Sequence, residues 1–496
     1  VRLLADLRVI VAAALFLLGG CTVSPPPASD AALEVAADPI RPNVIVILAD
    51  DLGYADISAY GVKRIATPNI DRIGAEGVTF TDAYAAAPVC SPSRAALMTG
   101  RYPARYGFEF NNGPPARDAR ENLGLDVGEI TLAQALERQG YHTGLVGKWH
   151  LGSNADFYPT NRGYDEFVGF LAGATNYIDT RLPGVHYAQP AGSSLSPTLI
   201  RARIPQLQIV EGPDRTVVNN DDEYLTEYFA RRGVEYVERN AKSDDPYFLY
   251  LAFNAPHDPL VVTQKYYDRF AHIADEESRI YAAMISALDD AVGEVLDAVA
   301  RSGEADNTIV YFMSDNGCAA YLGRICACEP LRGGKLTHYE GGMRVPLMMR
   351  WPAGIEAGQV ERRMVSLMDV FPTTLIAAGG ELPRDRVYDG VDLMPYVTGE
   401  RSGNPHESLM WRRAPLVSIR QDEWKLWKSL TGEFTLLFNL RTDPNETTNL
   451  AEHEPARVKA LEDAIAEWAK DLQDPRWPSQ SMKTYSVCGT PFTVPI

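Results

Sequence analysis

Apolar runs that stop abruptly at polar residues set the rhythm of this chain. In NVIVILADD, residues 43–51, nearly every position before the two carboxylates is apolar, the pattern of a strand buried on both faces. Helical and strand patterns then alternate. ITLAQALERQG reads as a helix closed by Gly140, and YHTGLVG as the strand after it. In RIYAAMISALDDAVGEVLDAVARSG, Ile285, Leu288, Val292, Leu296 and Val299 recur at helical spacing, Gly303 stops the run, and NTIVYFM comes next as another buried strand. Strand and helix in alternation predict an α/β fold, a large, mostly parallel sheet flanked by helices on both faces. Residues 173–222, rich in Pro, Gly and Ser, show no sustained period and read as a long surface excursion. Beyond about residue 400, ESLMWRR, LVSIRQDEWKLWKS and FTLLFNL read as antiparallel strands, and PARVKALEDAIAEWAKDLQ as one amphipathic helix. These patterns divide the chain into a main domain over 41–400 and a smaller C-terminal α+β domain over 401–496.

The first forty residues read differently. Arg2 and Arg8 precede VIVAAALFLLGG, too short to span a bilayer but suited to a signal-peptide core over 1–20. LLGGC resembles the lipobox of bacterial lipoproteins, with Cys21 as the lipidated residue; the plainer alternative is an ordinary secretory signal. A Pro/Ala-rich tether, 21–40, comes after it. This places the protein outside the cytoplasm, periplasmic or attached to the outer membrane by lipid.

Among 496 residues, 65 acidic against 47 basic side chains give a net charge of −18, which argues against nucleic acid or an anionic membrane surface as partner. An anionic small substrate stays possible if positive charge is concentrated locally. Of six cysteines, Cys21 and Cys90 stand apart. Cys318, Cys326, Cys328 and Cys488 allow three disulfide connectivities in an oxidising compartment, and sequence does not choose among them.

In open α/β sheets, ligands gather at the carboxyl ends of strands. Asp50 and Asp51 lie at one such end, Asp315 and Asn316 at another. Singly, each pair reads as a turn or cap; together, four oxygen-bearing side chains suit Ca²⁺ ahead of Mg²⁺. Lys148 and His150 follow a strand and, two apart at extended spacing, point to one side. His257 follows the strand YFLYLAF, and Lys335 lies in a Gly-rich loop. Each alone reads as solvated or satisfied; the four together supply the local positive charge. In CSPSRAALMTG, Ser91 can cap a helix with Pro92 at its first position, leaving Cys90 at the N-terminus and Arg94 one turn on. A thiol there would be acidified by the dipole.

CSPSRAALMTGRYP, ADDLGYAD, GLVGKWHLG, APHDP, SDNG, LRGGK, YEGGMRVP and LFNLRTDPNETTNL together resemble type I sulfatases of the alkaline phosphatase superfamily, the arylsulfatase A and N-acetylgalactosamine-6-sulfatase group, over about 42–450. The resemblance implies an alkaline phosphatase-like fold and a sulfuric ester hydrolase. It implies that a formylglycine-generating enzyme converts Cys90 to Cα-formylglycine. Asp50, Asp51, Asp315 and Asn316 would bind Ca²⁺ together with the residue at 90. Lys148 and Lys335 would neutralise the sulfuryl oxygens, Arg94 hold the aldehyde hydrate, His257 protonate the leaving alcohol, and His150 take the proton that frees sulfate. The substrate would be a sulfated carbohydrate or an aryl sulfate. Asn111, Asn112, His186 and His338 carry no assigned role. Two alternatives remain: a phosphate or phosphonate ester hydrolase with the same site, and a non-catalytic lipoprotein that binds sulfated glycans with Cys90 unmodified.

Overall fold

Because the run from Asn43 to Ala49 carries apolar side chains on both faces of the chain, it can be stable only between two packed layers, and it forms the central strand β1 (Asn43–Ala49). The computed structural model describes residues 41–495 except 62–63, 114, 194, 199–200, 202–203, 205–206, 324, 327–328 and 488–489. Residues 1–40, with Cys21, and the cysteines at 328 and 488 therefore lie outside the described residues.

The main sheet has ten strands: β1, β2 (Val78–Phe80), β3 (His142–Lys148), β4 (Glu166–Phe170), β5 (Ile209–Glu211), β6 (Thr216–Val218), β7 (Tyr247–Ala252), β8 (Thr308–Ser314), β9 (Leu347–Arg350) and β10 (Gln359–Glu361). Their order is β10-β2-β9-β8-β1-β7-β3-β4-β5-β6. The five central strands from β8 to β4 are parallel, while β9, β5 and β6 run antiparallel to their neighbours. The sheet is thus mixed, with a parallel centre. Its register brings two strand ends level: Ala49 pairs with Ser314, so Asp50 and Asp315 leave the sheet side by side.

Successive side chains of β1 enter opposite layers. Ile45, Ile47 and Ala49 pack with α2 (Leu225–Asn240) and α3 (Glu276–Ser302), and Val44, Val46 and Leu48 with α1 (Cys90–Thr99) and α4 (Val370–Ala377). The long helix α3 begins where the Asp275 carboxylate accepts the Ser278 N–H and ends where Gly303 turns left-handed. The excursion at 173–222 supplies β5 and β6 and a strand, Val185–Ala188, that pairs with Leu260–Thr263. Those strands are three or four residues long, too short to register as a period in sequence.

Further along the chain lies a separate antiparallel sheet: β11 (Ser408–Arg413), β12 (Leu416–Gln421), β13 (Trp424–Ser429) and β14 (Thr435–Asn439). One face, through Val417, Ile419, Leu426 and Leu437, packs on Leu461 and Ile465 of α5 (Pro455–Trp468). The other, through Leu416, Trp427 and Phe438, packs on Leu336 and Tyr339. The small sheet therefore backs the loop that carries Lys335. Cys318 and Cys326 form a disulfide, which selects one pairing among those left open by sequence. No helix among the described residues is long and apolar enough to cross a membrane.

A buried ion triad fastens the small sheet to that loop. Lys425 Nζ lies 2.8 Å from Glu340 Oε1 and 3.1 Å from Glu446 Oε1, and Glu446 Oε2 accepts the Glu340 N–H at 2.6 Å. Burial pushes the Glu446 carboxyl up to about 7, with Lys425 opposing and Glu340 adding. Removing the cation strands buried charge, so Lys425→Met is expected to cost about 3–5 kcal/mol near neutral pH. In that variant the folded state binds protons more readily than the unfolded chain, so its stability should recover as pH falls from about 7.5 to about 5.5. Denaturant unfolding at both pH values checks this; a loss that does not change with pH contradicts it.

Candidate active site

The carboxyl ends of β1, β3, β7 and β8, the start of α1 and the loop behind the small sheet converge on one buried pit. Asp51 has φ 61°, a left-handed conformation that breaks strand alternation, so the side chains of Asp50 and Asp51 both reach the pit. From the next strand, Asp315 Oδ1 accepts the Asp51 N–H at 3.2 Å, and Asn316 Nδ2 donates to Asp51 Oδ1 at 2.8 Å. Lys148 Nζ meets Asp50 Oδ2 at 2.6 Å, and Arg94 Nε meets Asp315 Oδ2 at 2.8 Å. Lys335 Nζ is the hub: it lies 2.8 Å from Asp51 Oδ2, 3.2 Å from Cys90 Sγ and 3.2 Å from His257 Nε2. Every one of these residues is buried.

Helix α1 starts two residues earlier than its sequence suggests, at Cys90 rather than Pro92. Val89 is the extended residue before it, and Ser91 sits inside the first turn. Ser91 does not cap: its N–H is taken by Asn111 Oδ1 at 3.1 Å, and its hydroxyl donates to Asn112 Oδ1 at 2.9 Å. Asn111 and Asn112 are thus engaged in bracing the turn beside Cys90. The expected acidic thiol is also corrected. Burial pushes the Cys90 thiol well up, and the nearby Lys148 and Lys335 charges only partly offset it. A cysteine in this pit is protonated and a poor nucleophile.

Lys148 and His150 do share the pit's side of the sheet, but not by extended spacing. Gly147 has φ 115° and His150 φ 59°, so the chain kinks on both sides of Lys148. A Cβ on Gly147 would lie 2.0 Å from the Ala252 carbonyl oxygen, which leaves only glycine possible there. Among the described residues His150 Nδ1 has no partner, and bare Gly173 backbone lies against its ring. Burial, then the charges of Lys148 and Arg94, hold the His150 imidazole well below its usual range, so it is neutral.

His257 aside, three carboxylates face three cations: Asp50, Asp51 and Asp315 against Lys148, Lys335 and Arg94. Burial alone would raise the Asp50 and Asp51 carboxyls; Lys148 and His257 around the first, and Lys335 and His257 around the second, outweigh it and hold both below the usual range. Asp315 goes the other way, raised by burial and by the Asp50 charge against the pull of Arg94. Among the described residues, two buried oxygens here, Asp50 Oδ1 and Asn316 Oδ1, have no hydrogen-bond partner, although Arg94 Nη2 lies 3.6 Å from the first. Ligand atoms of Asp50, Asp51, Cys90 and His257 lie within 4.8 Å of one another. Orphaned oxygens beside anionic carboxylates fit a hard divalent cation such as Ca²⁺.

Sequence reasoning missed what orients His257. Its Nδ1 lies 2.6 Å from the Asp258 carbonyl oxygen, which can only accept, so Nδ1 carries the proton and Nε2 faces Lys335. Tyr177 OH donates to the Asn254 carbonyl at 2.6 Å, bracing the same turn, and Ser193 donates to Asp258 Oδ2. Asp258 adjoins His257 and was visible; Tyr177 and Ser193 lie in the aperiodic excursion, which gives no signal.

Comparison with known proteins identifies a family for the chain. Residues 42–380 match the Sulfatase family, and residues 334–473 match the family N-sulphoglucosamine sulphohydrolase, C-terminal. The chain is 36% identical over 379 residues to N-acetylgalactosamine-6-sulfatase of Sus scrofa, covering 74% of this chain and 68% of that protein. It is 33% identical over 515 residues to steryl-sulfatase of Mus musculus, covering 86% and 81%. The crystal structure of Ps i-CgsB in complex with k-i-k-neocarrahexaose aligns with TM-score 0.78 and 33% identity, over 88% of this chain and 94% of that one.

Calcium titrated into metal-free protein at a hundredfold its Kd is expected to stabilise the fold by about 2.7 kcal/mol, read as a rise in Tm. Asn316→Ala, which would remove one candidate ligand oxygen, should lose most of that rise. The same rise in both proteins would remove Asn316 from the ligand set.

Proposed function

The chain belongs to the sulfatase family, and from that premise we propose that it removes sulfate from a sulfated carbohydrate, and from aryl sulfates, using Cα-formylglycine at position 90 and Ca²⁺. The observation that carries this reading is Lys335, whose Nζ touches both Cys90 Sγ and His257 Nε2 at 3.2 Å. One cation thus joins the residue that would attack sulfur to the group that would protonate the leaving alcohol. N-acetylgalactosamine-6-sulfatase and the neocarrahexaose complex among the similar proteins support a sugar as carrier; steryl-sulfatase widens the range of alcohols.

The buried, protonated thiol is a further reason to look for a different functional group at position 90. The hydrated aldehyde would supply two hydroxyls, one to attack sulfur and one whose deprotonation lets sulfate depart. Ca²⁺, held by Asp50, Asp51, Asp315, Asn316 and residue 90, would supply Lewis-acid stabilisation of the sulfuryl oxygens. The chain's own groups do the rest. Lys148 and Lys335 bring positive charge to the place where negative charge grows. Arg94, tied to Asp315 and to the Lys148 carbonyl, fixes the first turn of α1 and so orients residue 90. His257 and Lys335 deliver the proton to the leaving oxygen. His150, kept neutral by burial and by Lys148 and Arg94, is free to accept the proton of the departing step.

Maturation would need a formylglycine-generating enzyme. The signal-like segment and LLGGC motif support export and lipid anchoring through Cys21, with the mature protein periplasmic or on the outer membrane. A phosphate or phosphonate ester would bring a different charge to the same pit, and the intact GKWH, APHDP and LRGGK stretches support sulfate.

Turnover of p-nitrophenyl sulfate against p-nitrophenyl phosphate tests the reaction, with sulfate expected to be the better substrate. Lys335→Ala and His257→Ala should each lower kcat about 100-fold or more while the circular dichroism stays native. Phosphate preferred over sulfate, or near-normal turnover in both variants, would overturn the assigned chemistry.

A further inference from the structure

Two tyrosines beside the Lys335 loop reach solvent and have no part in the chemistry assigned above. Lys335 is 5% and His257 9% exposed, whereas Tyr321 and Tyr485 are part-exposed. Tyr321 lies in the turn Ala320–Leu322, inside the loop that the Cys318–Cys326 disulfide closes. That turn rests directly on the Lys335 loop. The Cys318 carbonyl accepts the Lys335 N–H at 2.8 Å, and a Cβ on Gly334 would lie 2.6 Å from Ala320 Cβ. A second segment meets Tyr321 as well: a Cβ on Gly192 would lie 2.3 Å from the Tyr321 carbonyl oxygen, and the next residue, Ser193, donates to Asp258 Oδ2 beside His257. Tyr321 thus touches the supports of both groups assigned to the leaving oxygen.

Electrostatics put both hydroxyls within reach of Lys335. Asp51, Cys90 and Tyr321, in that order, offset the effect of burial on the Lys335 ammonium. Burial raises the Tyr321 hydroxyl, with Lys335 opposing and Asp258 and Asp51 adding. It raises the Tyr485 hydroxyl too, with Arg413 and then Lys335 opposing.

Tyr485 comes from a hairpin of Met482–Val487 and Thr490–Pro495, beyond the residues matched by either family. Strand pairing sets Tyr485 opposite Phe492, on one face of the hairpin. Phe492 packs on Tyr339 and Trp427, with ring centroids 5.1 and 5.5 Å away, and Tyr485 packs on Tyr321 at 5.1 Å, the rings tilted by 43°. Both tyrosines pack against the main core and against the small-sheet cluster, so they span the seam between the two sheets. Rings braced in this way bind at low cost in rotamer entropy, and each offers an apolar face together with a hydroxyl. At the rim of a polar pit they suit the ring of an alcohol whose ester group enters the pit.

We propose that Tyr321 and Tyr485 form an aromatic platform at the rim of the catalytic pit, against which the ring of the leaving alcohol, pyranose or aryl, packs. The pair thereby sets specificity for sulfate on a ring over sulfate on an open chain. The occupant of the pit itself rests on the sulfatase reading above; the platform assigns the residues that read the alcohol attached to it.

The test uses the full chain and three sulfate esters of primary alcohols: a methyl glucoside sulfated on its primary hydroxyl, phenethyl sulfate and n-butyl sulfate. Wild type is expected to show a KM for at least one ring-bearing ester about tenfold below that for n-butyl sulfate. Which of the two is favoured separates pyranose from aryl. Tyr321→Leu and Tyr485→Leu keep apolar bulk, and each should raise that KM about fivefold or more, with kcat changed less than about twofold and the circular dichroism native. Tyr321→Phe should keep the wild-type KM, because the ring is what packs. No ring preference in wild type, or losses that fall on kcat equally for all three esters, would overturn the platform. Should wild type hydrolyse none of them, calorimetric Kd values for the same compounds decide: the same ring preference keeps the platform, its absence overturns it, and the sulfatase reading falls in both cases.

Discussion

Six buried charges that neutralise one another are the constraint on which this protein is organised. Asp50, Asp51 and Asp315 cannot stay ionised out of water alone, and neither can Lys148, Lys335 and Arg94; each removes the other's penalty only if the geometry is close. The contacts are close, with Lys148 at 2.6 Å, Lys335 at 2.8 Å and Arg94 at 2.8 Å from their carboxylates. A divalent cation and a sulfate ester would add opposite charges to a pit already near neutrality. That is how a chain of net charge −18 can receive an anion.

The rest of the fold keeps those groups in place. Parallel pairing of β1 with β8 delivers Asp50 and Asp315 together, and left-handed backbone at Asp51, His150 and Leu336 re-aims the chain where the sheet ends. Such conformations cost about 1–3 kcal/mol each and persist only where surrounding structure enforces them. Much of the enforcement comes from the small sheet. Through Trp427, Lys425 and Ser418 it grips Tyr339, Glu340 and His338, so the loop bearing Lys335 is clamped between two sheets. A cation on that loop is thereby held within reach of Asp51, Cys90 and His257 at once.

How far the sequence foretold this depends on the kind of information each residue carries. Apolar runs such as NVIVILA announce buried strands because both faces must be covered, and carboxylates at their ends announce a ligand site because strand ends are where backbone pairing stops. Asp50, Asp51, Asp315, Asn316, Lys148 and His257 were singled out on those grounds, and Lys335 from its Gly-rich loop; the structure brings these side chains together. The state of Cys90 was not: a helix N-terminus is visible in sequence, but the burial that reverses its effect on the thiol is tertiary. The Ser91 cap failed for the same reason, since Asn111 and Asn112 arrive from a separate loop. The Cys318–Cys326 pairing and the short strands of 173–222 needed the fold.

Mass spectrometry of the peptide bearing residue 90, taken from protein made in its native host and paired with the activity of the same sample, bears most directly on the central claim. An aldehyde at that position, in proportion to activity, is the predicted result. Full activity from protein whose residue 90 is still an ordinary thiol would contradict the account.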